Sequence, residues 1–183
     1  MARRTMGSKR HLISNAVVAA PLVVACFVLV YRGWAGAQTA AAAVAIEVGS
    51  QFPAIVLEGP DGRTVEGPAA VGENAAVLVV HPGCGHCHTM LESLLALRHG
   101  TEAIGGARVV AISVGDSAQT SRLRGRYPAV EMYRDRGAEL VRRFGLTAVP
   151  ILILVDQRGI VRDVASGWQG DERLREHLAR IWP

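Results

Sequence analysis

The stretch that decides the fold of this 183-residue chain is VLVVHPGCGHCH, residues 77–88. Its four leading apolar residues predict a strand that is buried on both faces. We expect a helix to start at the cysteines, with Cys84 in its first turn and Cys87 one turn further along. The partial positive charge of a helix N-terminus favours the thiolate form of the leading sulfur. The motif therefore predicts thiol–disulfide exchange, in which Cys84 attacks and Cys87 resolves.

Two other functions are compatible with the same residues. The run Cys84-Gly85-His86-Cys87-His88 matches the C-x-x-C-H pattern at which c-type haem is attached. His81, His86 and His88 could also bind copper(I) or zinc together with the cysteines. A purely structural disulfide is disfavoured, because closing so small a loop adds little stability. The alternating strands and helices downstream favour exchange, for which we expect no metal and no cofactor.

The first 37 residues are predicted to direct export. Four basic residues and no acidic ones precede an uncharged run from Leu12 to Tyr31, which is long enough to cross a bilayer as a helix. This charge pattern orients the N-terminus towards the cytoplasm. Because Ala35-Gly36-Ala37 fits a cleavage site, residues 1–37 are either an uncleaved transmembrane anchor, which we favour, or a signal peptide. We expect a single-pass inner-membrane protein with its domain in the periplasm.

The net charge of +4 originates in this N-terminal segment. Five of the twenty basic residues precede residue 38 and all sixteen acidic residues follow it, so the exported part has fifteen basic residues and a charge of −1. Such a balance argues against nucleic-acid binding. Disulfides persist outside the cytoplasm, so the expected partners are exported proteins with thiols or disulfides and a membrane electron donor or acceptor.

The remaining sequence predicts one α/β domain. An alanine-rich tether, 38–46, leads into residues 47–183, which suffice for a single core. Periodicity and turn residues predict strands at 52–57, 63–65, 77–80, 108–114, 151–155 and 160–165, and helices at 84–99, 117–126, 138–144 and from a cap at Asp171. This order predicts an N-terminal hairpin followed by a mixed central sheet with helices on both faces.

A proline opens one of these predicted strands. Pro150 lacks the N–H that a central ladder needs, which suits only an edge, a bulge or the start of a strand. A cis bond between Val149 and Pro150 would explain its presence, because a cis bond turns the chain back sharply.

Several separated motifs resemble those of membrane-anchored thioredoxin-like disulfide oxidoreductases of the TlpA/ResA type. They are GSQFP at 49–53, the hairpin turn at 61–62, CGHC at 84–87, FGLTAVP at 144–150 and VDQRG at 155–159. The resemblance spans residues 47–183 and implies a thioredoxin-like enzyme that handles thiols of exported proteins, commonly in cytochrome maturation or copper-centre assembly. It also implies that Cys84 attacks, that Cys87 resolves, and that the loop of Val149 and Pro150 holds the partner's backbone.

The residues around the cysteines depart from that family. His81-Pro82-Gly83-Cys84 replaces the usual aromatic approach, F-W-x-x-W-C, and Leu78 stands where thioredoxin has a buried acid. Glu92 could accept a proton, although an acid on a helix is more often simply solvated. We expect His86, as a hydrogen-bond donor or a cation, to stabilise the Cys84 thiolate and make the protein less reducing than thioredoxin.

Overall fold

The computed structural model describes residues 46–99 and 106–182. The anchor or signal peptide predicted for residues 1–37, and nearly all of the tether, lie outside these ranges. Among the described residues, no helix has the length and apolar character needed to cross a membrane.

The described residues form one seven-stranded sheet with five helices. The strands are β1 (Val56–Glu58), β2 (Thr64–Glu66), β3 (Ala75–Val80), β4 (Arg108–Ser113), β5 (Glu131–Arg134), β6 (Ile151–Val155) and β7 (Val161–Ser166). The helices are α1 (Gly67–Val71), α2 (Gly85–His99), α3 (Ser117–Arg126), α4 (Glu139–Phe144) and α5 (Asp171–Ala179). The sheet order is β2-β1-β5-β4-β3-β6-β7, and β3 pairs parallel with β4 and antiparallel with β6. The predicted α/β fold with a mixed sheet is confirmed.

The sheet separates two hydrophobic cores. Every residue of β3 is buried, and its side chains alternate between the two faces. One face packs against α2, α3 and α5 and the other against α1 and α4; the residues of β3 on these faces are Ala76, Leu78 and Val80, and Ala75, Val77 and Val79, respectively. Burial on both sides explains why β3 is uniformly apolar.

Two helix ends follow the sequence signals closely. The Asp116 carboxylate accepts the Gln119 N–H at 2.7 Å, and the Gln119 side chain accepts the Asp116 N–H, so a capping box starts α3. Gly145, in the left-handed region at φ 63°, ends α4. Because β3 and β4 are parallel, α2 and α3 both begin at the same edge of the sheet.

Some elements differ from the prediction. The first hairpin strand covers only Val56–Glu58, and both β5 and α1 lie where the pattern predicts neither strand nor helix. The prediction that Asp171 caps the last helix is wrong, because Gly170 is the N-cap and Asp171 is the first helical residue. The Asp171 carboxylate instead accepts a hydrogen bond from the Ser93 hydroxyl of α2 at 2.6 Å.

Candidate active site

The two cysteines stand at the start of α2 in the reduced state. Cys84 directly precedes the helix and is half-buried, whereas Cys87 lies in its first turn and is 1% exposed. The Cys87 backbone N–H donates a hydrogen bond to the Cys84 sulfur at 3.2 Å. The leading sulfur thus faces the helix N-terminus, where an N–H and the helix dipole stabilise negative charge.

The second thiol is held in its protonated form. Burial, reinforced by a side-chain hydrogen bond between the Cys87 thiol and Cys84, raises the pKa of the Cys87 thiol to about 12. At neutral pH, Cys87 is therefore almost entirely a thiol and is shielded from solvent. Of the two sulfurs, only that of Cys84 is open to a partner.

The loop before β6 reaches the same sulfur. The Val149–Pro150 peptide bond is cis, as the sequence predicts. The Cys84 thiol lies 3.8 Å from the Val149 carbonyl oxygen, to which it donates. This contact follows from the sheet, because β3 and β6 are neighbours with Val79 opposite Ile151. The ends of two paired strands thus bring Cys84 and Val149 together.

Three contacts fix the turn that precedes the cysteines. The Gly83 N–H donates to His81 Nδ1 at 3.1 Å, and His88 Nε2 donates to the Pro82 carbonyl oxygen at 3.0 Å. Gly115 packs against the Pro82 ring so closely that a Cβ there would lie 2.6 Å from Pro82 Cδ, which only glycine avoids. This approach loop, residues 81–83, is therefore ordered before any partner arrives.

A chain of polar side chains continues from the approach loop to the surface. His88 Nδ1 lies 3.0 Å from the Tyr127 hydroxyl, which donates to Glu92 at 2.9 Å, and Arg126 donates to the same Glu92 oxygen. Burial, reinforced by the hydrogen bond to Glu92, raises the pKa of Tyr127 to about 12. Glu92, the acid singled out from the sequence, is thus engaged by Tyr127 and Arg126. These hydrogen bonds join segments that are distant in sequence, so no local sequence pattern predicts them.

The haem and metal alternatives fit this geometry poorly. Both ring nitrogens of His88 are hydrogen-bonded within the protein, whereas a C-x-x-C-H haem site needs one of them for iron. Within 46–99 and 106–182, no three His, Cys, Asp or Glu side chains are grouped to hold a metal ion. His86 is exposed, and its predicted effect on Cys84 stays a prediction.

Solved structures with the same fold include thiol-active proteins. A protein from Chlorobium tepidum proposed to be a thiol:disulfide interchange protein of the DsbE type matches with a TM-score of 0.64 at 20% identity, over 76% of this chain and 100% of that one. The thioredoxin domain of a thiol-disulfide oxidoreductase from Bacteroides vulgatus matches with 0.61 at 16%, over 76% and 100%. A thio-disulfide isomerase from Thermus thermophilus matches with 0.59 at 24%, over 74% and 97%. At these identities the likeness shows the fold.

Sequence comparison gives the family. No curated protein matches the chain at a significant level. The sequence profile of the thioredoxin-like domain family matches residues 66–182, which is more than half of the chain and includes both cysteines and Pro150. The protein therefore belongs to the thioredoxin-like domain family.

Proposed function

We propose that this protein is a thiol–disulfide oxidoreductase that acts on the cysteines of exported proteins through Cys84 and Cys87. The observation that carries the proposal is the asymmetry of the pair. Cys84 is accessible and accepts an N–H at the start of α2, whereas Cys87 is buried with a pKa raised to about 12. Solved structures of the same fold are described as a thiol-disulfide oxidoreductase and a thio-disulfide isomerase, which agrees with this chemistry.

The reaction proceeds in two exchange steps. The Cys84 thiolate attacks one sulfur of a partner disulfide, forms a mixed disulfide and releases the other partner sulfur as a thiolate. Cys87 then loses its proton and attacks Cys84, which closes the internal disulfide and frees the partner thiol. Two electrons pass to the partner, and they flow the other way when an oxidised pair meets a partner dithiol. Burial keeps Cys87 from competing with Cys84 for the partner.

The loop beside the cysteines serves to hold the partner chain. Val149 and Pro150 precede β6, and the Val149 carbonyl oxygen already accepts from the Cys84 thiol. Once Cys84 is in a mixed disulfide, that oxygen is free to accept a backbone N–H from an extended partner segment. Pairing of this kind adds affinity without demanding a particular side chain. We assign substrate binding to Val149 and Pro150 on this basis.

The site of action and the partner class rest on the sequence. The basic and then apolar residues 1–37 support a membrane-anchored domain on the periplasmic side of the inner membrane. Exported cytochromes and metalloenzymes that need reduced cysteines before haem or copper is inserted are the partners we propose. A membrane electron donor or acceptor would then return the Cys84–Cys87 pair to its working state.

Trapping tests the function directly. Cells producing the Cys87→Ala variant should accumulate complexes that are sensitive to dithiothreitol, because the variant can attack but cannot resolve. The matched control is the double variant Cys84→Ala/Cys87→Ala, which lacks the attacking sulfur and should trap nothing. Mass spectrometry of the complexes identifies the partners. Equal trapping by both variants would contradict the proposal, as would a haem absorption band or stoichiometric metal in the purified reduced protein.

A further inference from the structure

A groove opens directly beside the reactive cysteine, between the approach loop and α3. Its volume is about 340 Å³, and its walls include Pro82 and Gly83 on one side and Gln119, Arg122 and Arg126 on the other. Since Gly83 immediately precedes Cys84, a partner whose sulfur reaches Cys84 has neighbouring residues within reach of this groove.

The groove is lined by positive charge, and no acidic residue of 46–99 or 106–182 is among its walls. Helix α3 contains three arginines and no acid. Arg124 is engaged elsewhere, donating to the backbone carbonyls of Met132 and Gly59, whereas Arg122 and Arg126 lie one turn apart on the groove side. Two guanidinium groups thus share this side of α3.

The two groove arginines differ in how far their charge is compensated. Arg126 pairs with Glu92 at 3.2 Å and lies over the Tyr127 ring at 5.4 Å, which orients it and partly neutralises it. Arg122 is exposed and forms no ion pair with any residue of 46–99 or 106–182. Arg122 is therefore the stronger of the two as a binding group.

A neighbouring amide points to the same ligand chemistry. The Gln119 side-chain oxygen accepts the Asp116 N–H, which leaves the Gln119 NH₂ as a donor at the groove. The ring nitrogens of His88 are already bonded to Tyr127 and Pro82. The groove therefore offers donors and guanidinium charge, which is the chemistry that binds a carboxylate.

We propose that this groove binds an acidic side chain of the partner polypeptide, near the partner's reactive cysteine, with Arg122 as the main contact. The inference rests on the proposed function, because a partner residue reaches the groove only when the partner's sulfur is bound at Cys84. The occupant is a residue of the partner rather than a free anion, since the groove is lined by Gly83, the residue directly before the cysteine to which the partner becomes bonded. Arg122 is thus a specificity-determining residue, and it selects partners by charge.

Peptide substrates test the inference. Three synthetic peptides share one intramolecular disulfide and differ only in the two residues beside the attacked cysteine, which are Asp-Glu, Asn-Gln or Lys-Arg. Fully reduced full-length protein is mixed with each, and the second-order rate constant is measured by acid quench and chromatography. Each turnover converts the peptide disulfide to a dithiol and the Cys84–Cys87 pair to its disulfide. The acidic peptide should react fastest and the basic one slowest, and added salt should narrow the difference.

Two arginine variants give the matched comparison. Arg122→Gln should slow the acidic peptide about two- to fivefold, the effect of one exposed ion pair, and should slow the neutral peptide less. The control is Arg158→Gln, which removes the same charge from an exposed position in the β6–β7 turn, at the opposite end of β6 from Pro150. It should leave all three rates unchanged.

The outcomes that would contradict the groove assignment differ from those that would contradict the proposed function. Equal rates for the three peptides in the native protein, or equal effects of Arg122→Gln and Arg158→Gln, would overturn the groove assignment while leaving exchange intact. Failure of the neutral peptide to exchange in either direction, as a disulfide with the reduced protein or as a dithiol with the oxidised protein, would instead overturn the proposed function, and the groove assignment with it.

Discussion

Alkylation of Cys87 measures how strongly burial suppresses its reactivity. The pKa of Cys87, about 12, exceeds the ordinary thiol pKa of 9.0 by about three. Below pH 9, the thiolate fraction of Cys87 is therefore about a thousandfold smaller than that of a free thiol. A more basic thiolate is also more nucleophilic, and a Brønsted coefficient of about 0.4–0.5 over three pKa steps returns a factor of about 15–30. We therefore expect Cys87 to react about 30–60 times more slowly than an ordinary thiol.

The measurement needs Cys87 as the only thiol. The chain has three cysteines, so the full-length variant Cys26→Ser/Cys84→Ser is alkylated with iodoacetamide at pH 8 and followed by mass spectrometry. N-acetylcysteine in the same tube supplies the reference rate. Because burial is the largest cause of the raised pKa, most of the slowing should survive the loss of Cys84.

Unfolding provides the control for this experiment. In concentrated guanidinium the variant should react at the reference rate, since the unfolded chain no longer shields Cys87 from water. The companion variant Cys26→Ser/Cys87→Ser, which leaves only Cys84, should react faster when folded than Cys87 does. If folded Cys87 alkylates as fast as the reference thiol, the thiol is not held in a dry site and the assigned roles of the two cysteines fail.

Three further predictions concern residues other than the two cysteines. His86→Ala should lower the reduction potential by about 10–20 mV, as expected for one exposed charge worth about 0.5–1 kcal/mol; an unchanged or higher potential in a glutathione buffer removes that role. Asp135→Ala should lower the free energy of unfolding, measured with urea, by about 1–2 kcal/mol. The reason is that the buried Asp135 carboxylate accepts hydrogen bonds from the N–H groups of Glu139 and Leu140 at the start of α4. A smaller decrease would contradict this capping role. The hydrogen bond from Arg134 lowers the pKa of Glu58 below its ordinary value of 4.5. The contribution of this pair to the unfolding free energy is therefore complete above pH 4.5 and is lost as the pH falls further. Glu58→Gln should make the unfolding free energy depend less on pH in this acid range.

The buried strands and the cysteine motif were readable from the sequence because their signals are local. A strand covered on both faces must be apolar throughout, which β3 and β6 are. The capping box of α3 and the glycine that ends α4 depend on residues within one helical turn. The proline at 150 pointed to the loop beside Cys84 because its missing N–H excludes a central ladder position.

The parts that were missed depend on contacts between distant segments. β5 is four residues long and carries Glu131 and Arg134 at its ends, so its strand character comes from pairing with β4 rather than from its own pattern. Asp171 has the composition of a cap, yet its oxygen is used by Ser93 of another helix. The groove likewise depends on α3 lying beside the approach loop, which the sequence does not encode locally.

Cys84 and Val149 lie in the loops that adjoin the ends of two buried, paired strands, and this placement has a consequence for how the protein meets a partner. Amides within such a ladder exchange with deuterium only when the whole domain opens, so the slowest-exchanging part of the molecule adjoins its most reactive sulfur. The entropy of ordering the site is lost during folding and not at encounter, so docking requires no loop closure. Substitutions that stabilise this domain should therefore leave its rate of thiol–disulfide exchange unchanged. In enzymes whose lid must open and close, by contrast, such substitutions can slow the reaction.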